Sequence, residues 1–279
     1  MKQAASSVSL ATIAGTLLGF ALVIGAIMRG TNNYLSFLSP EGFLIVICGT
    51  IANAFMSYEA GSVTRAFWAM LHMIKKPKAT HEGLNAEIML LIKWAYIVSA
   101  KGFAGLENET GAKIKEPLLR YGLDLVISNY SSEQIRDMMN TIVEAEFERR
   151  ITPVTVLRNM ASTAPAFGMV GTLVGMVIML QNIQGDMAQI GLGLSVALLA
   201  TLYGIIMARI LCLPAADKLL QKEEIMRFRN YMMTEGLVLL AEKENPRLIQ
   251  DKLNSYLDPS QRFDLDSYLA KNSPQGRSV

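Results

Sequence analysis

Three hydroxyl side chains, Thr172, Ser195 and Thr201, lie in otherwise apolar stretches of the sequence. Each needs a hydrogen-bond partner there, and hydroxyls in such helices commonly bond to a neighbouring helix. Pro165 lies in the same stretch as Thr172 and lacks the N–H that closes a helical hydrogen bond. It predicts a kink, or a freed carbonyl that could face a carboxylate of another chain. The pattern predicts either tight packing within one subunit or assembly of these helices around a central element.

A titratable group is missing from the same stretches. The charged residues between 152 and 212 are Arg158, Asp186 and Arg209, all near the ends of apolar runs. Since an ion-conducting protein normally has an ionisable residue within the membrane, either this chain moves no ions or the titratable group comes from another chain. No P-loop, dinucleotide-binding glycine motif, nucleophile elbow or HExxH zinc motif is found. We therefore expect neither an enzyme nor a bound cofactor or metal.

The composition is that of a membrane protein. Hydrophobic residues make up 51% and charged residues only 18% of the chain, against about 25% charged residues in soluble domains. A transmembrane helix needs roughly 20 apolar residues, and the stretches 8–28, 41–57, 153–180 and 187–213 meet this need. The predicted fold class is an all-α membrane protein with four transmembrane helices, a helical cytoplasmic loop and a C-terminal tail. The predicted organisation is 1–57 (helices one and two), 58–151 (cytoplasmic helical domain), 152–213 (helices three and four) and 214–279 (cytoplasmic helices and end).

Basic residues predict the orientation of the spans. The short connections 29–40 and 181–186 contain a single Lys or Arg between them, whereas 58–151 contains twelve and the tail from 214 contains ten. Because Lys and Arg are enriched on the cytoplasmic side, both termini and the long connection are predicted to be cytoplasmic.

The cytoplasmic parts are predicted to be helical. Ser131 and Gln134 have the spacing of a capping box before a helix with an apolar face. Apolar patterns also predict helices at 62–74, 215–243 and 246–257, whereas the polar end at 272–279 is expected to be disordered. Small residues four positions apart in the spans, such as Gly171 and Gly175, predict close helix packing.

Several runs match the motifs of one known family. The most specific is Ala-Pro-Ala-Phe-Gly-Met-Val-Gly-Thr-Leu at 164–173, and agreement continues at 10–25, 44–50, 106–109, 121–126, 196–204 and 214–219. On these motifs the chain resembles the MotA/PomA stator subunits of the bacterial flagellar motor, within the wider MotA/TolQ/ExbB group. The resemblance covers nearly the whole chain to about residue 257.

The resemblance implies a function and partners. Such a protein is a homopentamer around two copies of a MotB/PomB-like subunit, whose transmembrane aspartate would supply the missing titratable group. The 5:2 complex lies in the bacterial inner membrane and converts ion flow into flagellar rotation. Thr172, Thr201 and Pro165 would line the ion pathway, and Pro165 and Pro214 would couple ion passage to torque. Glu107 would act on the rotor protein FliG.

Two positions leave alternatives open. The family usually has Ala-Arg-(Arg/Lys)-x-Gly before its Leu-Glu motif, whereas 98–102 reads Val-Ser-Ala-Lys-Gly here. Lys101 is the candidate to replace the arginine, with rearranged rotor contacts as the alternative. Thr172 resembles sodium-driven members, but Ala200 stands where those members often have a second threonine. The sequence leans to Na⁺ and leaves H⁺ open.

Two other functions compete with the stator. An ExbB/TolQ-type subunit would use the same kind of ion flow for cell-envelope processes, but those relatives usually have three spans. A self-contained transporter or channel would need an acid within the membrane, and none is visible. Four spans and the motif at 106–109 favour the motor.

Overall fold

The computed structural model describes residues 10–71, 81–110, 114, 116–183, 187–259 and 262. Those residues form α-helices joined by turns and contain no strand, so the predicted all-α fold class is confirmed. A 3₁₀ turn covers Tyr34–Phe37 and a π-helical turn covers Met207–Cys212. The helices are α1 Leu10–Gly30, α2 Pro40–Ser57, α3 Ala60–Leu71, α4 His81–Thr110, α5 Pro117–Ile127, α6 Ser132–Gln181, α7 Met187–Ile206, α8 Leu213–Ala241 and α9 Pro246–Asn254.

The chain divides into two compact units. The first unit consists of Met1–Lys76 and Arg150–Lys222, and the second of Pro77–Arg149 and Glu223–Val279. Each unit has a hydrophobic core of its own.

The first unit exposes large apolar side chains on its long helices. Leu22 of α1 is 66% exposed, Leu173 of α6 is 59% exposed and Leu198 of α7 is 64% exposed. Large apolar groups at the surface of helices about 20 residues long are typical of segments in contact with lipid.

Core membership distinguishes the predicted spans from an apolar helix of the second unit. By length and composition, α2, α4, α6 and α7 continuing into α8 could each cross a membrane, and Ala14–Gly30 of α1 is a shorter apolar helix. In α4, however, Leu91 and Trp94 are buried in the core of the second unit, which accounts for its hydropathy. The sequence prediction of spans in α1, α2, α6 and α7 therefore treats α4 as part of the second unit's core.

The helix bounds differ from the predicted ones at the third span. The sequence placed its start at residue 153, but α6 begins at Ser132 and contains both Pro153 and Pro165. A proline removes one N–H and therefore one hydrogen bond, which here does not end the helix. The predicted helices at 62–74, 215–243 and 246–257 correspond to α3, α8 and α9. The end at 272–279 lies outside the described residues.

The second unit is a helical domain whose α6 segment begins with the predicted cap. The Ser131 hydroxyl accepts from the Gln134 N–H at 3.2 Å, and the Gln134 side chain accepts from the Ser131 N–H at 3.1 Å. This reciprocal pair satisfies backbone N–H groups at the helix start. The capping-box prediction is confirmed.

Candidate functional site

The hydroxyls of Thr172 and Thr201 meet at the contact between α6 and α7. Their oxygen atoms are 2.7 Å apart. The Thr172 hydroxyl is also 3.1 Å from the Gly168 carbonyl oxygen on its own helix and 3.1 Å from the Ala197 carbonyl oxygen on α7, and can donate to either. Four oxygen atoms are thus gathered in the wall of the first unit, and oxygen atoms are the ligands that hard cations prefer.

Close helix approach brings these hydroxyls together. A Cβ atom added to Gly175 would lie 2.5 Å from the Ala197 nitrogen, and one added to Gly204 would lie 2.6 Å from the Ala164 carbonyl oxygen. These neighbours are backbone atoms, so the two helices are in backbone contact above and below the threonine pair. The small residues predicted to allow close packing lie in this contact.

Pro165 lies in the same contact, about two turns from Thr172 along α6. Its Cα atom would be 3.1 Å from a Cβ added to Gly204, so the proline packs against the backbone of α7. Ser195, the third hydroxyl, is half-buried on α7. The structure therefore gathers Thr172, Thr201 and Pro165 on one helix pair.

Tyr203 is a residue of this region that the sequence reasoning missed. Its hydroxyl accepts from the Ser39 N–H at 2.9 Å and donates to the Phe37 carbonyl oxygen at 2.6 Å. Tyr203 thereby ties the turn before α2 to α7. A tyrosine two residues after Thr201 in an apolar span was the available signal, because a buried tyrosine hydroxyl needs partners.

Pro214 follows the π-helical turn at the start of α8. It lacks an N–H and cannot bond to the residue four positions back, and the Leu213 N–H next to it bonds to the Ala208 carbonyl, five positions back. This wider hydrogen-bonding pattern is that of a π-helix, which is often found at functional sites. The prediction named Pro214 but not the turn.

The predicted rotor residues belong to the second unit. Lys101 and Glu107 are both exposed on α4. Between them, Gly102 has φ 68° and ψ −172° and divides α4 into two helical segments. Such a backbone conformation favours glycine. The glycine of the family motif is therefore present at the position with positive φ, although the arginine of that motif is absent.

A buried ion cluster in the second unit was also missed. Arg229, 6% exposed, donates to Glu87 and Glu116 and, at 2.9 Å, to the Asn230 side chain. Burial opposes the charged form, but the bonds to both carboxylates outweigh it and raise the pKa of Arg229. The sequence signal was the spacing of Arg229, which lies four and eight residues before the buried Met233 and Leu237 and therefore on the same helix face.

A second polar cluster is more exposed. Glu144 accepts hydrogen bonds from the Tyr231 hydroxyl and, at 2.7 Å, from Arg227. The bond from Tyr231, together with those from Arg227, lowers the pKa of the Glu144 carboxyl against the effect of partial burial. In the described part of the chain, no group of three or more His, Cys, Asp or Glu side chains is arranged to hold a metal ion.

Comparisons with known proteins agree along most of the chain. The MotA/TolQ/ExbB proton channel family matches residues 111–233. The chemotaxis protein PomA of Vibrio alginolyticus is 31% identical over 255 residues, which are 91% of this chain and 97% of that protein. C. jejuni MotAB is similar in structure, with a TM-score of 0.80 and 27% identity over 92% of this chain and 99% of that one. The flagellar MotAB stator complex from Bacillus subtilis gives a TM-score of 0.78 and 27% identity, covering 91% and 97%.

Proposed function

Because the chain belongs to the MotA/TolQ/ExbB family, as a flagellar motor stator subunit of the MotA/PomA type, we propose that ions pass along its α6–α7 face. The ion is carried past Thr172 and Thr201 by a carboxylate of a MotB/PomB-like partner. Five copies of this chain surround two copies of the partner. Ion passage turns this ring and so drives the flagellar rotor.

The observation that carries this proposal is the threonine pair on α6 and α7, two helices that have no acidic residue in their apolar stretches. Between Arg158 and Arg209 the sequence has one charged residue, Asp186, in the connection between α6 and α7. A hydroxyl pair can solvate an ion but cannot take up a proton near neutral pH. The partner must therefore supply the titratable group, and this chain supplies polar oxygens along the path.

The oxygens support Na⁺ as the coupling ion. The Thr201 hydroxyl oxygen and the Ala197 carbonyl oxygen both lie within 3.1 Å of the Thr172 hydroxyl oxygen. Oxygens of this kind can replace part of the hydration shell of Na⁺, whereas a proton needs only the partner's acid. The work is ion transfer and rotation, so we propose neither enzyme activity nor a cofactor.

The location and the rotor contact complete the proposal. The complex lies in the bacterial inner membrane with both termini of this chain in the cytoplasm, as the distribution of Lys and Arg predicts. Glu107 and Lys101, both exposed, act on FliG through their charges. Pro165 and Pro214 transmit the passage of the ion to the helices outside the membrane.

Rotation of tethered cells tests the ion pathway. Cells lacking other stators would express this chain with its partner, and rotation speed would be measured while Na⁺ is varied at fixed pH. Thr172→Val keeps the shape but removes the hydroxyl. Since one hydrogen bond is worth roughly 0.5–1.5 kcal/mol, we expect the Na⁺ concentration for half-maximal speed to rise about two- to twelvefold.

Thr163→Val is the matched control. Thr163 lies on the same helix, and its hydroxyl donates to the carbonyls of Asn159 and Met160 on that helix. Its substitution should leave the Na⁺ dependence unchanged. Rotation that is indifferent to Na⁺ and abolished by a protonophore would assign H⁺ as the ion. An assembled complex that turns no rotor under either condition would favour an ExbB/TolQ-type role.

A further inference from the structure

An open cleft lies in the first unit beside the π-helical turn. Its volume is about 630 Å³, and α1 forms one side while the π-helical turn and the first turns of α8 form the other. Arg209, Asp217 and Lys218 line the second side. The cleft is separate from the threonine pair, and the ion pathway does not use it.

The charge of the cleft is positive. The Asp217 carboxylate accepts from Arg158 at 3.0 Å, so its charge is already balanced by a residue outside the cleft. In the part of the chain that the structure describes, neither Arg209 nor Lys218 forms an ion pair with a carboxylate. Two cationic side chains are therefore available to an anionic group.

The α1 side of the cleft is lined by Gly15, Thr16 and Gly19 and has room for a narrow chain. A Cβ atom added to Gly15 would have no neighbour within 4 Å, and one added to Gly19 would be 3.8 Å from Ile210. A small free anion would use only the charged end of such a space. An amphiphile with an anionic head and a hydrocarbon chain would use both ends.

The π-helical turn helps to bring the cations to one side. Lys218 lies nine positions after Arg209, which is about two and a half turns of a regular α-helix, so the two would lie on opposite faces. The wider turn at Met207–Cys212 changes this register. Both side chains line the same cleft as a result.

We propose that this cleft binds an anionic phospholipid of the cytoplasmic leaflet. The phosphate lies between Arg209 and Lys218, and an acyl chain lies along Gly15 and Gly19 of α1. Basic pockets between transmembrane helices on the cytoplasmic side suit such head groups. The proposal rests on the orientation given under the proposed function, because that orientation places the ends of α1 and α7 at this leaflet.

Lipid retention in the full complex tests this binding. The complex with its partner would be placed in nanodiscs of phosphatidylethanolamine with or without phosphatidylglycerol, then extracted, and its bound lipids counted by native mass spectrometry. We expect the wild-type complex to retain phosphatidylglycerol. The amount retained should fall about fivefold in Arg209→Gln and about fivefold in Lys218→Gln. Gly15→Leu, which fills the α1 side of the cleft, should also reduce the retained phosphatidylglycerol.

Arg247→Gln is the matched control, because Arg247 is exposed on α9 and does not line the cleft. Equal retention in all variants would overturn the proposal. So would displacement of the lipid by inorganic phosphate alone, which would assign the site to a free anion. Rotation of tethered cells is a separate readout: loss of Na⁺-driven rotation with lipid retained counts against the proposed function and not against this site.

Discussion

The two units of this protein have cores of opposite character. The core of the first unit is rich in small side chains, with alanine at several of its buried positions, including Ala54, Ala164 and Ala200. The core of the second unit is built from large ones, including Trp94 and Met139. Most of the exposed large apolar side chains belong to the first unit, whereas the second unit buries most of its own.

The polar links between helices differ in the same way. In the first unit, a half-buried hydrogen bond between helices joins neutral groups, Asn53 and Asn159, at 3.1 Å. In the second unit, the links are ion pairs around Arg229. Lipid offers no hydrophobic drive for helices to associate, so small residues and neutral hydrogen bonds hold them together. Water does drive burial of large apolar groups, and it also solvates the charges at the surface.

Removing the buried cation of the second unit should have the largest effect. Arg229→Met leaves the carboxylates of Glu87 and Glu116 without their shared partner. Breaking a buried pair in this way costs roughly 3–5 kcal/mol, and because these carboxylates are 24% and 31% exposed, we expect a loss at the lower end of that range. We expect a marked loss of thermal stability, measured through the fluorescence of the buried Trp94. Arg158→Met is the control, because its pair with Asp217 is half exposed on both sides and should contribute at most about 1 kcal/mol. Equal losses in both variants would remove the distinction between the units.

Adding one methyl group tests the packing of the first unit. In Gly175→Ala the new atom meets the Ala197 nitrogen at 2.5 Å and the Gly193 carbonyl oxygen at 2.6 Å. Overpacking of this kind costs roughly 1–3 kcal/mol, so the assembled complex should unfold at a lower temperature. Gly25→Ala, where nothing lies within 4 Å, should be neutral. A Gly175→Ala complex as stable as the wild type would show that the α6–α7 contact is looser than described.

The smallest effect is expected at the half-buried Glu144 cluster. The pKa of Glu144 is lowered from the ordinary value of 4.5, so its contribution to stability is present above that value and is lost as pH falls through the lowered pKa. Tyr231→Phe removes the main cause and should raise the pKa of Glu144 toward its ordinary value. Unfolding measured across the acid range should then show a small loss of stability above pH 4.5 and a transition at slightly higher pH. An unchanged pH profile would show that Tyr231 does not set this pKa.

The sequence predicted which segments are helical better than it predicted where one helix continues into the next. Hydropathy indicated the spans, and spacing alone indicated the cap of Ser131 and Gln134. The continuity of α6 through Pro153 could not be predicted, because the remaining helical hydrogen bonds decide whether a proline ends a helix. The π-helical turn at Met207–Cys212 could not be predicted either, because it also depends on which backbone hydrogen bonds form around a proline, here Pro214.

The site was predicted as a set of residues and not as a geometry. Thr172 and Thr201 were recognisable as hydroxyls in apolar spans. Their meeting depends on the register between α6 and α7, which contacts such as that of Gly175 with Ala197 fix. The roles of Tyr203 and Arg229 depend on partners distant in the sequence, Ser39 and Glu87, which the sequence alone does not place beside them.

The Thr172 hydroxyl has fewer hydrogens to donate than it has oxygen acceptors around it. The Thr172 hydroxyl has one hydrogen and three oxygens within reach, those of Thr201, Gly168 and Ala197. Either Thr201 donates to Thr172 and Thr172 to a carbonyl, or Thr172 donates to Thr201. The two arrangements interconvert by rotation about C–O bonds, without displacement of any carbon, nitrogen or oxygen atom. A positive charge moving past this face would therefore meet a dipole that can reverse as the charge passes, while the helices stay in place.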